Sequence, residues 1–206
     1  MGNEGRRPSA GPDDDAGFIT RSQNGEAAAF EALVERHQRR MLNTAYRMLG
    51  DFDEACDVVQ EAFLSAYRAI GSFRQEAKFS TWMTTIVLNH ARNRLQQRAS
   101  RACHECRSLD DDRETQDGRI RHEPRSDAES ATDLLERKQR DARVQDCIDA
   151  LEGEQKEVLV LRDIQELSYE EIGSMLKVPD GTVKSRLFRA RLAIKDCLSE
   201  VIKDLG

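Results

Sequence analysis

Aromatic and turn-forming residues are scarce in this chain. Its 206 residues include one Trp, three Tyr, seven Phe and four Pro. No apolar run approaches the length that crosses a membrane, and the polar N-terminus contains no apolar core of the kind found in export signals. The sequence therefore predicts a cytoplasmic protein with no membrane insertion. It also predicts that residues 1–18 form a disordered tail.

Cysteine is scarce as well, and its number is odd. The five cysteines are Cys56, Cys103, Cys106, Cys147 and Cys197. Reduced thiols are the expectation in a chain without an export signal. Cys103 and Cys106 form the one pair at metal or redox spacing, but a single CxxC without a second ligand pair is a weak zinc signal. Two incidental thiols in a linker are favoured over a zinc site or a redox switch.

Patterns typical of catalytic sites are missing from the sequence. It has no carboxylates at metal-binding spacing, no nucleophile motif and no glycine-rich phosphate-binding loop. We therefore expect no enzymatic activity, no catalytic residue, no metal ion and no cofactor.

The net charge of −6 is unevenly distributed along the chain. Residues 108–136 hold ten acidic residues against four arginines, a difference that equals the deficit of the whole chain. Residues 91–101, by contrast, contain four arginines and no acidic residue. Because the basic surfaces are local, the acidic average does not exclude a nucleic-acid partner.

Hydrophobic periodicity divides the chain into two helical blocks. Apolar residues recur at three- and four-residue spacing in residues 19–101 and 133–206, whereas residues 102–132 are acidic and lack such a pattern. The fold class predicted is all-α, with two helical domains joined by a flexible acidic linker. No strand is predicted.

Local signals set the helix boundaries of the first block. Gly50 ends one helix, and Asp51 with Glu54 offers a capping box for the next, which is predicted over residues 51–70. A further helix is predicted from residue 81 to about residue 97. The face of the 51–70 helix that is expected to be buried comprises Ala55, Val58, Val59, Ala62, Phe63, Ala66, Tyr67 and Ile70.

The second block ends in a helix-turn-helix pattern. Ser168 and Glu171 form a capping box that starts one helix, and residues 177–181 supply the turn. The following helix, from about Asp180, repeats apolar residues at helical spacing and carries most of its cations on the other side. This combination favours a recognition helix for the DNA major groove over a merely solvated basic face.

The first turns of a recognition helix reach base edges, so the polar and aromatic residues there are the readout candidates. Arginine can pair with guanine through two hydrogen bonds, and phenylalanine can pack on a thymine methyl group. A cation further along the helix is better placed to contact phosphate. The base-reading candidates are Lys184, Ser185, Arg186, Phe188 and Arg189, and Arg191 is the phosphate candidate.

Two sets of residues resemble the sigma factors of bacterial RNA polymerase. Residues 57–64 (DVVQEAFL), the pair Phe73-Arg74, residues 79–82 (FSTW) and Asn89 are similar to sigma region 2. Residues 167–172 and 181–191 are similar to region 4. The presence of these two regions alone, with a short acidic linker, resembles the extracytoplasmic-function (ECF) branch of the family. The resemblance covers roughly residues 20–100 and 134–200.

The resemblance implies a promoter-specificity subunit that binds core RNA polymerase, directs it to promoters and opens DNA. Asp57, Gln60, Glu61 and Leu64 would dock on the clamp coiled coil of the largest polymerase subunit, and the second domain would contact the flap region. A solvated acidic face is the alternative for those four residues. An anti-sigma factor is a further expected partner.

The resemblance also assigns the two promoter elements. The minus-35 element would be read as duplex by residues 184–189, with Arg191 contacting phosphate. Opening at the minus-10 element requires a pocket for an unstacked base and cations for its backbone. The residues expected there are Phe73, Lys78, Phe79, Asn89 and Arg92. Phe79 could equally belong to the core, and for Trp82 the core is favoured.

Two further alternatives remain at this stage. The acidic linker would thread through a basic polymerase channel, although a solubilising spacer explains its composition nearly as well. The chain could also be a stand-alone helix-turn-helix regulator. Such a regulator binds duplex promoter by itself with a steep salt dependence, whereas a sigma factor binds weakly until core polymerase is added.

Overall fold

The structure, a computed structural model, describes residues 15–108 and 131–203, with side chains over 15–101 and 139–199. Regular structure in these ranges is entirely helical, which confirms the predicted all-α class. No helix in the described part is long and apolar enough to cross a membrane. Residues 1–14 of the predicted tail, residues 109–130 of the predicted linker, and the side chains of Cys103 and Cys106 lie outside the described residues.

Two groups of helices form the described part. The first domain comprises α1 (Ala16–Gln23), α2 (Ala27–Leu49), α3 (Phe52–Ala69) and α4 (Phe79–Ser108), with a short 3-10 turn at Ile70–Ser72. The second domain comprises α5 (Ala131–Asp149), α6 (Gly153–Leu159), which continues as a π-helical turn at Val160–Ile164, α7 (Tyr169–Leu176) and α8 (Asp180–Lys203).

The predicted boundary between α2 and α3 is confirmed. Gly50 adopts a left-handed conformation with φ +75° and ends α2. The Asp51 carboxylate accepts a hydrogen bond of 2.8 Å from the Glu54 amide and caps α3. The reciprocal half of the capping box is not formed, because the Glu54 carboxylate instead pairs with Arg98 of α4 at 2.6 Å. The ion pair with α4 thus keeps the Glu54 side chain from completing the capping box of α3.

Helices α1 and α4 both extend beyond the predicted limits. The described residues begin at Asp15, and Asp15 and the first turn of α1 lie inside the segment 1–18 that was predicted to be a disordered tail, so the prediction is wrong for residues 15–18. Asp15 is buried and is held by α2, with Arg36 Nη1 at 2.6 Å and His37 Nε2 at 2.7 Å from its carboxylate. At the other end, α4 continues to Ser108, although the periodicity predicted an end near Gln97.

The helix-turn-helix of the second domain is confirmed. Ser168 and Glu171 form both halves of the capping box that begins α7. Lys177 adopts a left-handed conformation with φ +56° and ends it. Gly173 lets the turn pack closely, since a Cβ atom there would lie 2.9 Å from the Val178 carbonyl oxygen. The buried stripe of α8, including Val183 and Leu187, fixes the outward face of the helix.

A disulfide joins α5 to α8, which corrects the expectation that all thiols are reduced. Cys147 and Cys197 are bonded with their Cα atoms 5.9 Å apart. The two residues are 50 positions apart in the sequence, so no spacing motif marks them. Their pairing follows from the packing of α8 along α5. Cys56 is exposed and free.

Candidate nucleic-acid and partner interfaces

Four of the six residues of α8 that were predicted to contact bases or phosphates are exposed on the outward face of the helix. Lys184, Ser185, Phe188 and Arg189 are exposed in the first three turns of the helix, and Phe188 is 70% exposed. The Lys184 ammonium also lies 5.7 Å from the centre of the Tyr169 ring of α7. A large apolar ring flanked by cations suits a polyanionic partner that also presents apolar groups at its base edges.

The other two predicted residues of α8 are engaged within the domain. Arg186 is only 20% exposed and pairs with Glu154 of α6, with Nη2 and Oε2 2.6 Å apart. It therefore lies to one side of the exposed face. Arg191 pairs with Asp163 through Nη2 at 2.5 Å and Nε at 3.2 Å, and hydrogen bonding by that carboxylate raises the pKa of Arg191. Arg191 remains about half exposed, so it stays accessible to a phosphate.

The predicted docking residues of α3 form one exposed face. Asp57, Gln60, Glu61 and Leu64 are all exposed, and Leu64 is 50% exposed. Arg94 of α4 lies beside the acids, 3.4 Å from Glu61 and 4.0 Å from Asp57. The residues therefore present a partly balanced polar rim around an apolar side chain.

An apolar groove runs beside this face, between α2 and α3. Its volume is about 690 Å³, and its lining includes Phe30, Val34, Leu42, Val59, Phe63, Leu64 and Tyr67. Tyr67 is 45% exposed, which corrects its assignment to the buried face of α3. Its ring meets Phe30 edge-on with centroids 5.0 Å apart, so it forms the groove wall instead of filling the core. A groove of this shape between two helices suits an amphipathic helix of a partner.

The residues predicted to contact the minus-10 element have different environments in the structure, and the two aromatic members are buried. Phe73 and Phe79 are 8% and 0% exposed, so both rings are buried in the structure described, as the alternative that placed Phe79 in the core expects. Phe73 stacks on Trp82 with ring centroids 4.6 Å apart, and Phe79 lies 5.7 Å from the same ring. These contacts remove Phe73 and Phe79 from water, leave Trp82 half-buried, and provide an aromatic base for residues 74–78.

The polar members of that set have different environments. Lys78 and Asn89 are exposed. Arg92 is not free to bind DNA in this arrangement, because it forms a two-bond pair with Glu157 of α6, at 2.5 Å and 2.8 Å. This hydrogen bonding raises the pKa of Arg92. An ion pair with the other domain could not be expected from the local pattern of arginines.

One supporting residue was missed entirely by sequence reasoning. Gln23, at the end of α1, donates its side-chain amide to the carbonyl oxygens of Ile70 at 3.0 Å and Phe73 at 2.8 Å. It thereby fixes the backbone that leads from α3 into the 74–78 segment. A glutamine in a short helix carries no sequence signal for such a role.

Known proteins resemble this chain in both halves. Residues 33–101 match the family model of sigma-70 region 2, and residues 141–194 match that of sigma-70 region 4. The RNA polymerase sigma-H factor of Pseudomonas aeruginosa is 36% identical over 192 residues, or 92% of this chain and 96% of that protein. The ECF RNA polymerase sigma-E factor of Escherichia coli K12 is 32% identical over 187 residues, covering 90% and 95% of the two chains.

Two solved structures share the fold. CnrH, solved in complex with the cytosolic domain of CnrY, superimposes with a TM-score of 0.63 at 23% identity, covering 91% of this chain and 99% of that chain. RpoE of Bartonella quintana, solved in complex with the anti-sigma factor NepR, gives a TM-score of 0.63 at 19% identity, covering 82% and 96%.

The two family matches together define a two-domain helical DNA-recognition subunit of RNA polymerase, which is not an enzyme. The chain belongs to the sigma-70 family of RNA polymerase sigma factors, in its ECF class. It is an alternative sigma factor that directs RNA polymerase, and the reading as a stand-alone regulator is not favoured.

Proposed function

We propose that this sigma factor docks on core RNA polymerase through the exposed face of α3, reads the minus-35 element with α8, and opens DNA with the first domain. The observation that carries this proposal is the pair of exposed surfaces on separate domains. One is the Phe188 ring among cations on α8, and the other is the apolar groove with its acidic rim beside α3.

Minus-35 reading rests on the four exposed residues of α8. Lys184 and Ser185 lie in the first turns, where a recognition helix approaches base edges. Arg189 is suited to a two-bond contact with guanine, and Phe188 to a thymine methyl group. Arg191 is assigned to phosphate. Arg186, held by Glu154, is assigned to keeping α8 on α6.

Polymerase docking rests on Leu64 and its acidic neighbours. An exposed leucine inside a polar rim is a typical centre for an interface, because burial of the leucine supplies affinity and the rim supplies orientation. The clamp coiled coil of the largest subunit is the proposed partner for this face. The second domain is proposed to contact the flap region.

Promoter opening is proposed to use the 74–78 segment and α4. The buried Phe73 and Phe79 rings and the half-buried Trp82 ring support that segment, while Lys78 and Asn89 are exposed to contact the displaced strand. Arg92 is proposed to join them only when its pair with Glu157 is broken. Phe73, Phe79 and Trp82 therefore act as supports in this proposal, and polar groups contact the strand.

Regulation by an anti-sigma factor is also proposed. The B. quintana neighbour was solved with such a partner. The groove between α2 and α3 is suited to a partner helix, so an anti-sigma factor would compete there with polymerase. Both events would take place in the cytoplasm, where the polymerase is.

Run-off transcription tests the proposal. Purified protein is added to core polymerase with a library of genomic fragments, and start sites are mapped. Selection of a restricted set of promoters is expected, and a Phe188→Ala variant is expected to lose it while the exposed Ser174→Ala control retains it. No start-site selection with core, combined with tight salt-sensitive binding to duplex by the protein alone, would instead support a stand-alone regulator.

A further inference from the structure

Residues 74–78 form a short exposed segment between two buried aromatic rings. Phe73 before the segment and Phe79 after it are 8% and 0% exposed. Gln75 within the segment has φ +56°, which lies in the left-handed region that residues other than glycine rarely adopt. Backbone in that region costs free energy and persists only where the surrounding structure holds it. The contacts at the two ends of the segment therefore determine its conformation.

Helix α1 holds the beginning of the segment through Gln23. The side-chain nitrogen of Gln23 donates to the carbonyl oxygens of Ile70 and Phe73, which lie 47 and 50 positions away in the chain. An amide nitrogen carries two N–H groups, so its donors match these two acceptors. The first carbonyl begins the 3-10 turn at Ile70–Ser72, and the second directly follows that turn. Their bonds to Gln23 therefore set the direction in which the chain leaves α3 and enters the segment.

A second series of contacts leads from the start of α1 to the end of the segment. Asp15, which precedes α1, is 3% exposed, and its carboxylate lies 2.7 Å from Nε2 of His37 on α2. The His37 ring lies beside the Phe79 ring, with centroids 5.2 Å apart. Phe79 is the first residue of α4 and directly follows the segment. The two ends of α1 are thus connected to the two ends of the 74–78 segment.

Helix α1 can act as a support because it is itself fixed on α2. Ile19 is 1% exposed and belongs to the hydrophobic core. The Arg36 guanidinium of α2 lies 5.2 Å from the centre of the Phe18 ring. Gly25, with φ +91°, lies in the tight turn that joins the two helices. Close-packed elements joined in this way shift little against each other, so Gln23 keeps a fixed position.

We propose that α1 is a brace for the 74–78 segment and that Gln23 is a positioning residue for the selection of minus-10 bases, without touching DNA itself. This inference rests on the proposed function, in which the segment faces the displaced strand. A segment already held in its binding conformation loses less conformational freedom when a base docks on it, which favours tight and selective binding. Without the bonds from Gln23, Gln75 leaves its left-handed conformation and the segment adopts arrangements that distinguish bases less well.

Gln23→Glu tests the brace, because it keeps the size of the side chain, removes both donors and places a carboxylate against two carbonyl oxygens. Gln23→Met removes the donors without adding a charge and repeats the test in a milder form. Gln23→Lys is the rescue variant, since its ammonium again supplies N–H donors to the same carbonyls. Asn24→Asp is the matched control, because this exposed neighbour undergoes the same change from amide to carboxylate at the same end of α1.

Trp82 provides a readout that needs no DNA. It is the single tryptophan of the chain, and its ring stacks on Phe73 with centroids 4.6 Å apart. Release of Phe73 exposes Trp82 to water, which shifts its fluorescence to longer wavelength and increases quenching by acrylamide. Gln23→Glu is expected to show both changes in the full-length protein, whereas Gln23→Lys and Asn24→Asp are expected to match wild type. An unchanged Trp82 signal in Gln23→Glu and Gln23→Met would overturn the brace.

Selection of minus-10 bases is measured with holoenzyme assembled from core polymerase and each protein. One template is a promoter mapped by run-off transcription and opened beforehand by mismatches over its minus-10 element, and the other has the minus-10 bases of the displaced strand replaced. The ratio of the two affinities is expected to fall about tenfold in Gln23→Glu, the order of effect for two lost hydrogen bonds, and to stay near wild type in Gln23→Lys and Asn24→Asp. Equal weakening on both templates, with an unchanged ratio, would indicate a merely structural role and overturn the positioning role.

The two readouts separate this inference from the proposed function. A wild-type holoenzyme that binds both templates equally would refute the minus-10 assignment of the first domain and, with it, the role of Gln23 in base selection. The Trp82 signal would still decide whether α1 braces the segment. A changed Trp82 signal in Gln23→Glu, combined with the affinity ratio of wild type, would overturn the positioning role and leave the minus-10 assignment intact.

Discussion

Replacing Leu64 by Asp is expected to abolish stable binding to core polymerase while the protein stays folded. Leu64 is 50% exposed, so a partner would bury about half of a leucine side chain, which is worth about 1–1.5 kcal/mol. The variant loses that term and places a carboxylate against the partner, which adds at least about 1–3 kcal/mol for the desolvated polar group. The two terms together correspond to a loss of about 30- to 2000-fold in affinity.

The fold should tolerate this change because the position is half open to solvent. Helix propensity and the lost intramolecular contacts are expected to cost about 1 kcal/mol of unfolding free energy. Circular dichroism and a thermal melt measure that cost. Titration of labelled protein with core polymerase measures the affinity.

Phe52→Asp is the matched control for Leu64→Asp. Phe52 lies on the same helix and is 45% exposed, but it faces Tyr46 and does not line the groove between α2 and α3. Core affinity of this control should stay near that of wild type. Normal co-purification of Leu64→Asp with polymerase, or an equal loss in both variants, would refute the assignment of this face as the docking surface.

Three further predictions concern other parts of the chain. Arg189→Ala should cost about 1–3 kcal/mol at particular minus-35 bases, measured by holoenzyme binding to a panel of base-substituted promoters; an unchanged base preference would contradict the assignment. Phe79→Ala should lower the free energy of unfolding by about 3–5 kcal/mol in a denaturant titration, since the ring is fully buried, and a stable variant with a promoter defect alone would argue for a direct DNA contact. Reduction of the Cys147–Cys197 disulfide, which closes a loop of 50 residues, should destabilise the second domain by about 2–4 kcal/mol, and identical melts with and without reductant would refute the covalent link.

Local sequence signals were sufficient for the helix boundaries at both functional surfaces. Gly50 and Asp51 act within one turn of their own position, and so do Ser168 and Glu171 in the capping box of α7. The periodicity of α8 fixed which side faces solvent, because burial of Val183 and Leu187 leaves Lys184 and Phe188 outside. Helix caps and the solvent-facing side of a helix depend on residues three or four positions apart, so both can be predicted from the sequence.

Side-chain environment was less predictable where the partner is distant in the chain. Tyr67 shares the helical spacing of the buried residues of α3, yet it lies at the groove because no helix in the described part of the chain covers that edge. Phe73 and Phe79 flank a polar segment and were expected to face DNA, but Trp82 gives both rings an apolar surface to stack on. Hydrophobic periodicity predicts on which face of its own helix a residue lies. It does not predict which other residues pack against that face.

The amino-acid sequence by itself determined the all-α class, the two helical blocks and the helix-turn-helix. Its motifs also indicated membership of the sigma-factor family. Only the tertiary structure decided that Arg92 is paired with Glu157, that Gln165 inserts between α2 and α4, and that Cys147 meets Cys197. Helix formation and capping are set by neighbours within a few residues. Ion pairs, buried amides and disulfides join residues 50 to 121 positions apart, and their partners exist only once the helices have packed.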